Sequence, residues 1–417
     1  MKKTTILLAA LTLTSTTLAT DWPTWRGPDH DGQSKEKNLD LDWPESGPPL
    51  LWQSEGCGRG YASVAVSDGT IYTIGRRDDA EHLIAFDEKS GDEKWATPFG
   101  KSKHSNGAPT VDDGNVYAIG RDGDLVCCDA KSGKKLWSKN FAKDFGGKMM
   151  SGWGYSESPL IDGDRLLCTP GAKDAMIVAL DKKTGKTIWQ GKTPSDLGER
   201  GKDGAGYSGI VVSHGAGVKQ YVQLTGRGVL SFRADDGKFL WNYNPVANGT
   251  ANIPTPIASG DHIFCSTGYG TGSALLKLSK SGSSGVKAKE VYFLDDKTLQ
   301  NHHGGMVLVN GKIYTGHKHN NGFPICVDLK SGEVEWGGDE RGPGRGSAAV
   351  TYADGHLIFR YENGTLALIE ATPKKYNLVA SFDPAHQEGK SWAHPVVANG
   401  RLYLREQDKL MCYNLTK

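Results

Sequence analysis

Short segments in which apolar and polar residues alternate recur along most of the chain, and glycine-containing turns separate them. Val64 to Tyr72, Pro109 to Tyr117 and Val307 to Tyr314 each place two apolar runs around an Asp-Gly or Asn-Gly pair. Such alternation predicts half-buried β-strands, and the dipeptide predicts a tight hairpin because glycine accepts the positive φ of the turn. The pairs that fit are Asp68-Gly69, Asp113-Gly114, Asp162-Gly163, Asn310-Gly311, Asp354-Gly355 and Asn399-Gly400.

A second repeated segment follows these hairpins and ends in tryptophan. Residues 85–95 have the pattern Asp-x-x-x-Gly-x-x-x-Trp after an apolar strand, which predicts two further strands joined by a glycine turn. The pattern recurs at 127–137, 179–189, 231–241 and 326–336, with Arg233 replacing the aspartate in one copy. Because successive tryptophans are separated by roughly 42 to 52 residues, each unit is predicted to be one four-stranded antiparallel blade.

The remaining units complete the count of blades. The unit between Trp241 and Trp336 lacks its tryptophan, and a seventh unit runs from Ala348 to Phe382. Pro395 to Leu415 supplies only three strands, whereas Pro49 to Trp52 supplies a strand without the other three. Pairing these two ends leaves no free sheet edge. We therefore predict an all-β, eight-bladed β-propeller over residues 49–417, whose last blade is closed by the N-terminal strand.

The composition and the first residues of the chain indicate where the protein is located. With 55 glycines, 11 tryptophans and 37 % hydrophobic residues, the chain suits short strands with many turns. The net charge of +1 gives no indication of nucleic-acid binding. Lys2, Lys3, the apolar run from Ile6 to Leu13 and the small-residue site ending at Ala19 predict a signal peptide over 1–19. No cysteine follows that site and no later segment is long enough to span a membrane, so we expect a periplasmic or secreted protein without a lipid anchor.

The Ala-x-Asp-x-x-x-Gly-x-x-x-Trp repeat resembles the tryptophan-docking motif of pyrroloquinoline-quinone (PQQ)-like propellers, which include quinoprotein alcohol dehydrogenases and the assembly factor BamB. In that family each tryptophan stacks on the glycine turn of the neighbouring blade. The resemblance therefore implies a structural role for Trp95, Trp137, Trp189, Trp241 and Trp336. The N-terminal extension at 20–48 opens with Trp22-Pro23-Thr24-Trp25-Arg26-Gly27-Pro28, which resembles the start of many exported family members and is expected to pack on the propeller.

Two clusters offer candidate chemistry. Cys127-Cys128 is similar to the vicinal disulfide of the quinoprotein dehydrogenases, but Cys127 aligns in the repeat with Ala85, so we expect buried thiols among an odd total of seven. His317-x-His319 would place two imidazoles on one strand face, close to the histidines at 302 and 303. Zinc or copper could bind there, yet no carboxylate or thiolate completes the set, and we predict no metal site.

Loop residues just before each inner strand are expected to line one mouth of the central funnel. They are Tyr61, Asn106, Tyr155, Glu157, Tyr207, Asn252, His303, Arg345 and Trp392. Aromatic side chains interleaved with polar ones are typical of a binding surface. A polar mouth without a ligand is the alternative.

These residues are compatible with three candidate functions. We predict a non-catalytic, monomeric binding platform without a cofactor, whose partner is an envelope protein or polysaccharide. The alternative is a PQQ- and calcium-dependent dehydrogenase, in which Glu157 and Asn252 would imitate calcium ligands; a catalytic base, a cofactor cap and a haem-attachment motif are not found. A hydrolase or lyase ranks last because no carboxylate pair or Ser-His-Asp set stands apart from the repeat.

Overall fold

The predicted glycine turns define the hairpins of the computed structural model, which describes residues 20–417; the predicted signal peptide lies outside the described residues. Five of the six pairs form two-residue turns with positive φ at both positions, such as 50° at Asn310 and 79° at Gly311. The sixth prediction was off by one residue. Asp162 pairs with Arg165 as a strand residue, so the turn consists of residues 163 and 164.

The hairpins assemble into eight four-stranded antiparallel sheets, which confirms the propeller fold. The strand β1 (Leu50–Ser54) precedes the blades. Blades 1 to 4 comprise β2 (Ala65–Ser67), β3 (Thr70–Arg77), β4 (Ala80–Asp87), β5 (Glu93–Gly100); β6 (Thr110–Asp112), β7 (Asn115–Ile119), β8 (Asp124–Asp129), β9 (Lys135–Asn140); β10 (Leu160–Asp162), β11 (Arg165–Cys168), β12 (Ile177–Asp181), β13 (Thr187–Gly191); β14 (Val211–Ser213), β15 (Gln220–Thr225), β16 (Gly228–Arg233) and β17 (Phe239–Tyr243).

Blades 5 to 8 comprise β18 (Ile257–Ser259), β19 (His262–Thr267), β20 (Gly272–Ser281), β21 (Gly285–Asp295); β22 (Met306–Val309), β23 (Lys312–His317), β24 (Phe323–Asp328), β25 (Val334–Gly337); β26 (Ala348–Ala353), β27 (His356–Tyr361), β28 (Leu366–Glu370), β29 (Leu378–Phe382); β30 (Val396–Ala398), β31 (Arg401–Glu406) and β32 (Lys409–Asn414). Within residues 20–417, one short helix, α1 (Phe141–Phe145), follows β9, and a 3-10 turn at Gly215–Gly217 lies between β14 and β15. Among residues 20–417, no helix has the length and apolarity that a membrane-spanning helix requires.

Blade 8 closes the ring in the predicted way. Its strand order is β1-β32-β31-β30, so β1 is the outermost strand of a blade whose other strands end the chain. Trp52 pairs with Cys412, and Ser54 pairs with Leu410. Because this sheet joins β1, which precedes blade 1, to the last three strands, opening the ring between blades 8 and 1 requires the loss of these hydrogen bonds.

Tryptophan docking locks neighbouring blades together at most seams. Trp95, Trp137 and Trp189 donate their indole N–H groups to carbonyls of the next blade at 3.1 to 3.2 Å. Each ring covers a glycine of that blade, and a Cβ added at Gly237 would lie 2.4 Å from the Trp189 ring. Trp336 also donates to the next blade, at Thr372 O. The glycine is therefore required by close packing as well as by its positive φ.

Blade 5 departs from the repeat. Its β20 and β21 continue to a distal turn at Ser281 to Gly285, so no Asp-x-x-x-Gly turn receives the ring of Trp241. The Trp241 N–H instead bonds to Gln220 within its own blade at 2.8 Å. Tyr292 occupies the missing tryptophan position, packs near Gly332 and donates its hydroxyl to Leu329 O at 2.8 Å. A tyrosine thus docks blade 5 on blade 6.

All seven cysteines of the chain are free and buried. Cys127 and Cys128 point to opposite faces of β8, toward different hydrophobic clusters, as alternation within a strand requires. Burial raises the pKa of both thiols, to about 12 and about 11. These cysteines act as small core residues.

Candidate functional site

The N-terminal extension crosses the centre of the propeller. Trp22 forms two 2.9 Å backbone hydrogen bonds with Val66, like an added strand on blade 1. Further along, the segment Trp22 to Ser34 bonds to inner strands of blades 2, 6, 7 and 8, through Val111, Met306, Tyr352 and Val397. Because it contacts blades on opposite sides of the ring, this segment forms a floor in the channel.

A cavity of about 530 Å³ lies between this floor and the loops that precede the inner strands. Trp25 and Arg26 contribute the floor, together with His394. The other lining residues are Tyr61, Asn106, Ser151, Trp153, Ser156, Tyr207, Gly209, Thr250, Ala251, Ile253, Pro254, Thr255, Tyr269, His302, His303, Gly305, His319, Asn320, Lys390 and Trp392. This volume falls in the range of small-molecule sites.

Aromatic side chains form a continuous arc along the cavity wall. The Tyr61 ring lies 4.7 Å from that of Trp392 and 5.8 Å from that of Trp153 between ring centroids. The Trp153 and Trp392 rings are 5.5 Å apart, and the His303 ring lies 5.0 Å from Trp392. Trp153 is 39 % exposed, so an apolar ring face is open to a ligand.

Hydrogen-bonding groups hold this arc in place. Asn106 donates to Tyr155 O at 3.1 Å and accepts the Trp153 indole N–H at 3.2 Å. The Tyr207 hydroxyl pairs with that of Ser151. The wall therefore combines rigid apolar rings with fixed polar groups, as small-molecule sites commonly do.

Five of the nine residues predicted for the mouth line the cavity: Tyr61, Asn106, Tyr207, His303 and Trp392. The other four do not line it. Tyr155 packs edge-on against Phe141 and donates its hydroxyl to Pro170 O at 2.9 Å. Arg345 is exposed and lies outside the lining.

Glu157 and Asn252 also point away from the cavity. The Glu157 carboxylate is 3 % exposed and accepts hydrogen bonds from Thr169 N and Oγ1, both at 2.7 Å, and from Gln223 at 3.1 Å. Burial without a cationic partner raises its pKa to about 8. The Asn252 amide donates to Thr225 O and accepts from Asn248 N. Both side chains stabilise loops between blades.

The histidine cluster differs from its prediction. β23 ends at His317, and Lys318 has a φ of 62°, so His319 leaves the strand and does not share its face. His317 is buried, and its ring nitrogens hydrogen-bond to Gln300 N and Lys297 O. The rings of His302 and His319 are 4.1 Å apart in the cavity wall. Among residues 20–417, no group of three or more histidine, cysteine or acidic side chains has a geometry that could hold a metal ion.

Burial keeps His302 neutral. Its two ring nitrogens contact the Ser347 hydroxyl at 2.7 Å and the Tyr269 hydroxyl at 3.1 Å. Desolvation, together with the neighbouring imidazoles, lowers its pKa to about 2. His302 therefore presents an uncharged hydrogen-bonding group near neutral pH.

The calcium-bound quinone implied by the family resemblance does not fit these residues. A calcium ion requires oxygen ligands, usually including carboxylates. No residue of the cavity lining is acidic. The proposed ligand Glu157 is fully engaged inside the blade packing, and Asn252 bonds to backbone groups. The carboxylate of Glu362, beside the lining, is already engaged by the Trp392 indole N–H and the Lys390 ammonium, so the lining itself offers no free anionic ligand.

Sequence reasoning missed several lining residues. Trp153 lies in a non-repeating loop after α1, and Tyr269 lies in the turn between β19 and β20. Trp25 and Arg26 belong to the extension, and neither has a counterpart in the repeat. The aromatic pair in the WPTWRGP segment was the one available signal, but the ring that lines the cavity, Trp25, packs against His394, which is hundreds of residues away.

Comparisons with known proteins give two kinds of relative. A family model described as outer membrane protein assembly factor BamB matches residues 45–140 and 79–338. The alcohol dehydrogenase (quinone) dehydrogenase subunit of Gluconacetobacter polyoxogenes is 27 % identical over 209 residues, covering 46 % of this chain and 26 % of that protein. BamB of Nitrosomonas eutropha is 25 % identical over 152 residues, covering 36 % and 31 %. Each match thus extends over less than a third of the relative.

Solved structures agree on the fold. The quinohemoprotein alcohol dehydrogenase from Comamonas testosteroni superposes with a TM-score of 0.64 and 13 % identity, over 95 % of this chain and 80 % of that chain. BamB from Moraxella catarrhalis gives a TM-score of 0.59 and 12 % identity, over 88 % of this chain and 100 % of that chain. At these identities the similarity shows the propeller fold alone.

Proposed function

This chain belongs to the family described as outer membrane protein assembly factor BamB, and on that premise we propose that it is a non-catalytic binding propeller of the cell envelope. Its ligand is a saccharide segment of an envelope polysaccharide, which enters the central cavity. The observation that carries the proposal is the arc formed by Tyr61, Trp153 and Trp392 around a cavity of small-molecule size.

Saccharides suit this wall because a pyranose ring has an apolar C–H face and a rim of hydroxyl groups. The C–H face packs on an aromatic ring, whose burial supplies the affinity. The hydroxyls need fixed hydrogen-bond partners, which Asn106, Ser151 and Tyr207 provide at the same wall. A protein partner would need a wider contact surface than a cavity of about 530 Å³ offers.

The second candidate function is that of a quinoprotein dehydrogenase. Relatives named as quinone-dependent alcohol dehydrogenases favour this hypothesis. The acid-free cavity lining weighs against it. Incubation of the purified protein with PQQ and CaCl₂, followed by absorption spectroscopy and dye reduction with alcohols, separates the two candidates. Alcohol-dependent dye reduction that requires both PQQ and calcium would refute the non-catalytic proposal.

The proposal places the protein in the periplasm or outside the cell as a monomer. The family's assembly-factor description supports an envelope location. Protease protection in intact and osmotically shocked cells tests the location, and light scattering of the purified protein tests the monomer.

Titration calorimetry with a panel of trisaccharides tests the saccharide proposal. The panel comprises cellotriose, maltotriose, chitotriose and trigalacturonate. We expect at least one to bind the wild type, and Trp153→Ala combined with Trp392→Ala to weaken that binding at least tenfold, because each ring of the cavity wall contributes about 1 kcal/mol or more. Ile188→Ala, an exposed apolar residue on β13, is the matched control and should bind as wild type does. The proposal fails if no trisaccharide binds, or if the double variant retains full affinity.

A further inference from the structure

The aromatic arc continues beyond Trp392 into a second wall of the cavity. The His303 ring, which lies against Trp392, is 4.4 Å from the His302 ring, and the His319 ring lies 4.1 Å from that of His302. Tyr269 ends the row, with its ring centroid 4.3 Å from that of His319. All of these residues line the cavity. The wall therefore changes along its length from tryptophans to imidazoles, and it ends on a tyrosine.

Two turns of neighbouring blades place side chains at the end of this row. Tyr269 lies in the turn between β19 and β20, Asn320 lies in the turn between β23 and β24, and both have a φ of 58°. A left-handed backbone is rare for a tyrosine, and such strained residues cluster at ligand sites, where the surrounding structure holds them. The Tyr269 hydroxyl bonds to His302 Nε2 at 3.1 Å, which fixes the direction of the ring.

The side chains of both turns are open to a ligand. Tyr269 is 36 % exposed, so part of its ring is free to pack against an incoming group. Asn320 is exposed and lines the same cavity, and within residues 20–417 its carboxamide has no hydrogen-bond partner. An accessible apolar ring and an accessible amide group therefore lie in one part of the cavity.

This cavity offers its ligand no free charge among residues 20–417. No lining residue is acidic, Arg26 is buried in the floor, and the Lys390 ammonium lies 3.1 Å from the Glu362 carboxylate. Desolvation lowers the pKa of His319 and also that of His302, so both imidazoles are uncharged near neutral pH. The second wall therefore suits a neutral group that hydrogen-bonds and has an apolar part.

We propose that Tyr269 and Asn320 form an amide subsite, which recognises the acetamido group of an N-acetylated amino sugar while the aromatic arc packs on the saccharide. This inference rests on the proposed saccharide function and narrows its ligand to a neutral polysaccharide with N-acetylhexosamine units. The carboxamide of Asn320 has donors and an acceptor, which match the carbonyl and the N–H of an acetamido group. The acetamido methyl packs on the Tyr269 ring, whose apolar surface a hydroxyl group would leave uncovered.

Matched ligands isolate the acetamido group. Chitotriose and cellotriose share one backbone and differ only at C2, where the former has an acetamido group and the latter a hydroxyl. By titration calorimetry we expect the wild type to bind chitotriose at least tenfold more tightly, equivalent to about 1.4 kcal/mol. Tyr269→Ala and Asn320→Gly should each reduce this preference, and their combination should abolish it by lowering the chitotriose affinity to that of cellotriose.

Two further variants serve as controls. Tyr269→Phe keeps the ring and should keep the preference for chitotriose. Val291→Ala removes an exposed side chain on β21, the outermost strand of the blade that holds Tyr269, and should bind both ligands as the wild type does. Glycine at position 320 accepts the positive φ, so Asn320→Gly removes the carboxamide without adding backbone strain.

The outcomes separate this inference from the proposal beneath it. If the wild type binds cellotriose as tightly as chitotriose, or binds only another trisaccharide, the amide subsite is refuted while the saccharide function stands. A preference that survives in the combined variant refutes the subsite as well. If no saccharide binds, both fail. Thermal unfolding shows whether each variant folds; should the combined variant not fold, Asn320→Gly alone decides the question.

Discussion

Arg405 gives the sharpest test of how the ring is closed. This arginine lies on β31 in the last blade, is 2 % exposed and reaches across the seam into the first blade. There it donates hydrogen bonds of 2.5 to 3.3 Å to oxygens of Cys57, Gly58, Ala62, Thr73 and Ile74. We predict that Arg405→Met, which keeps much of the side-chain volume, lowers the free energy of unfolding by removing these hydrogen bonds between blades 8 and 1.

The magnitude follows from the groups left without a donor. Each buried acceptor that loses its partner costs about 1 to 3 kcal/mol, although such losses are not additive. Relief from burying the Arg405 charge offsets part of the sum. A net loss of about 3 to 5 kcal/mol in the free energy of unfolding is expected, because several buried acceptors lose their donor at once.

Equilibrium urea unfolding, followed by tryptophan fluorescence and circular dichroism, measures this loss. Arg233→Met is the control because its ion pair with Asp236 lies at the surface and should contribute less than about 1 kcal/mol. A loss of under about 1 kcal/mol for Arg405→Met, or equal losses for both variants, would refute the role of Arg405 in closure.

Three further predictions test docking and burial. Gly237→Ala should destabilise by about 2 to 4 kcal/mol because its Cβ would strike the Trp189 ring, whereas Gly163→Ala, which faces open space at a similar φ, should cost about 1 kcal/mol in urea unfolding. Tyr292→Phe removes one cross-blade hydrogen bond and should cost about 1 kcal/mol; no change in the unfolding midpoint would count against tyrosine docking. The raised pKa of Glu157 means that the folded state binds its proton more tightly, so its stabilising effect is complete below pH 4.5 and is lost as the pH rises through about 8. Unfolding free energies measured from pH 4 to 9 should therefore fall by up to about 1.4 kcal/mol per pH unit in that window, relative to Glu157→Gln.

The blades were predictable because their signals are local. A hairpin such as that at Asn310 is specified by neighbouring residues, and the docking tryptophans recur at nearly constant spacing. The split blade followed from an incomplete unit at each end. Tyr292 was hidden because the docking position keeps its place in the strand but not its residue type.

The site was less predictable because loop side chains take their directions from distant packing. Tyr155 and Tyr207 occupy similar places before their inner strands, yet the Tyr155 ring packs between blades 2 and 3, and that of Tyr207 lines the cavity. Arg26 meets blade 6 some 280 residues further along the chain. No periodic pattern encodes such a contact, so the residues of the cavity floor could not be predicted from the sequence.

Nuclear magnetic resonance of the bound trisaccharide tests the aromatic cavity most directly. A sugar ring stacked on Trp153 and Trp392 has C–H protons above the indole faces, where ring currents shift their resonances upfield. We predict such shifts for one face of the sugar, and their loss in the variant with both tryptophans replaced by alanine. A bound saccharide whose protons keep their free-solution shifts, or whose shifts persist in that variant, would contradict binding at the aromatic arc.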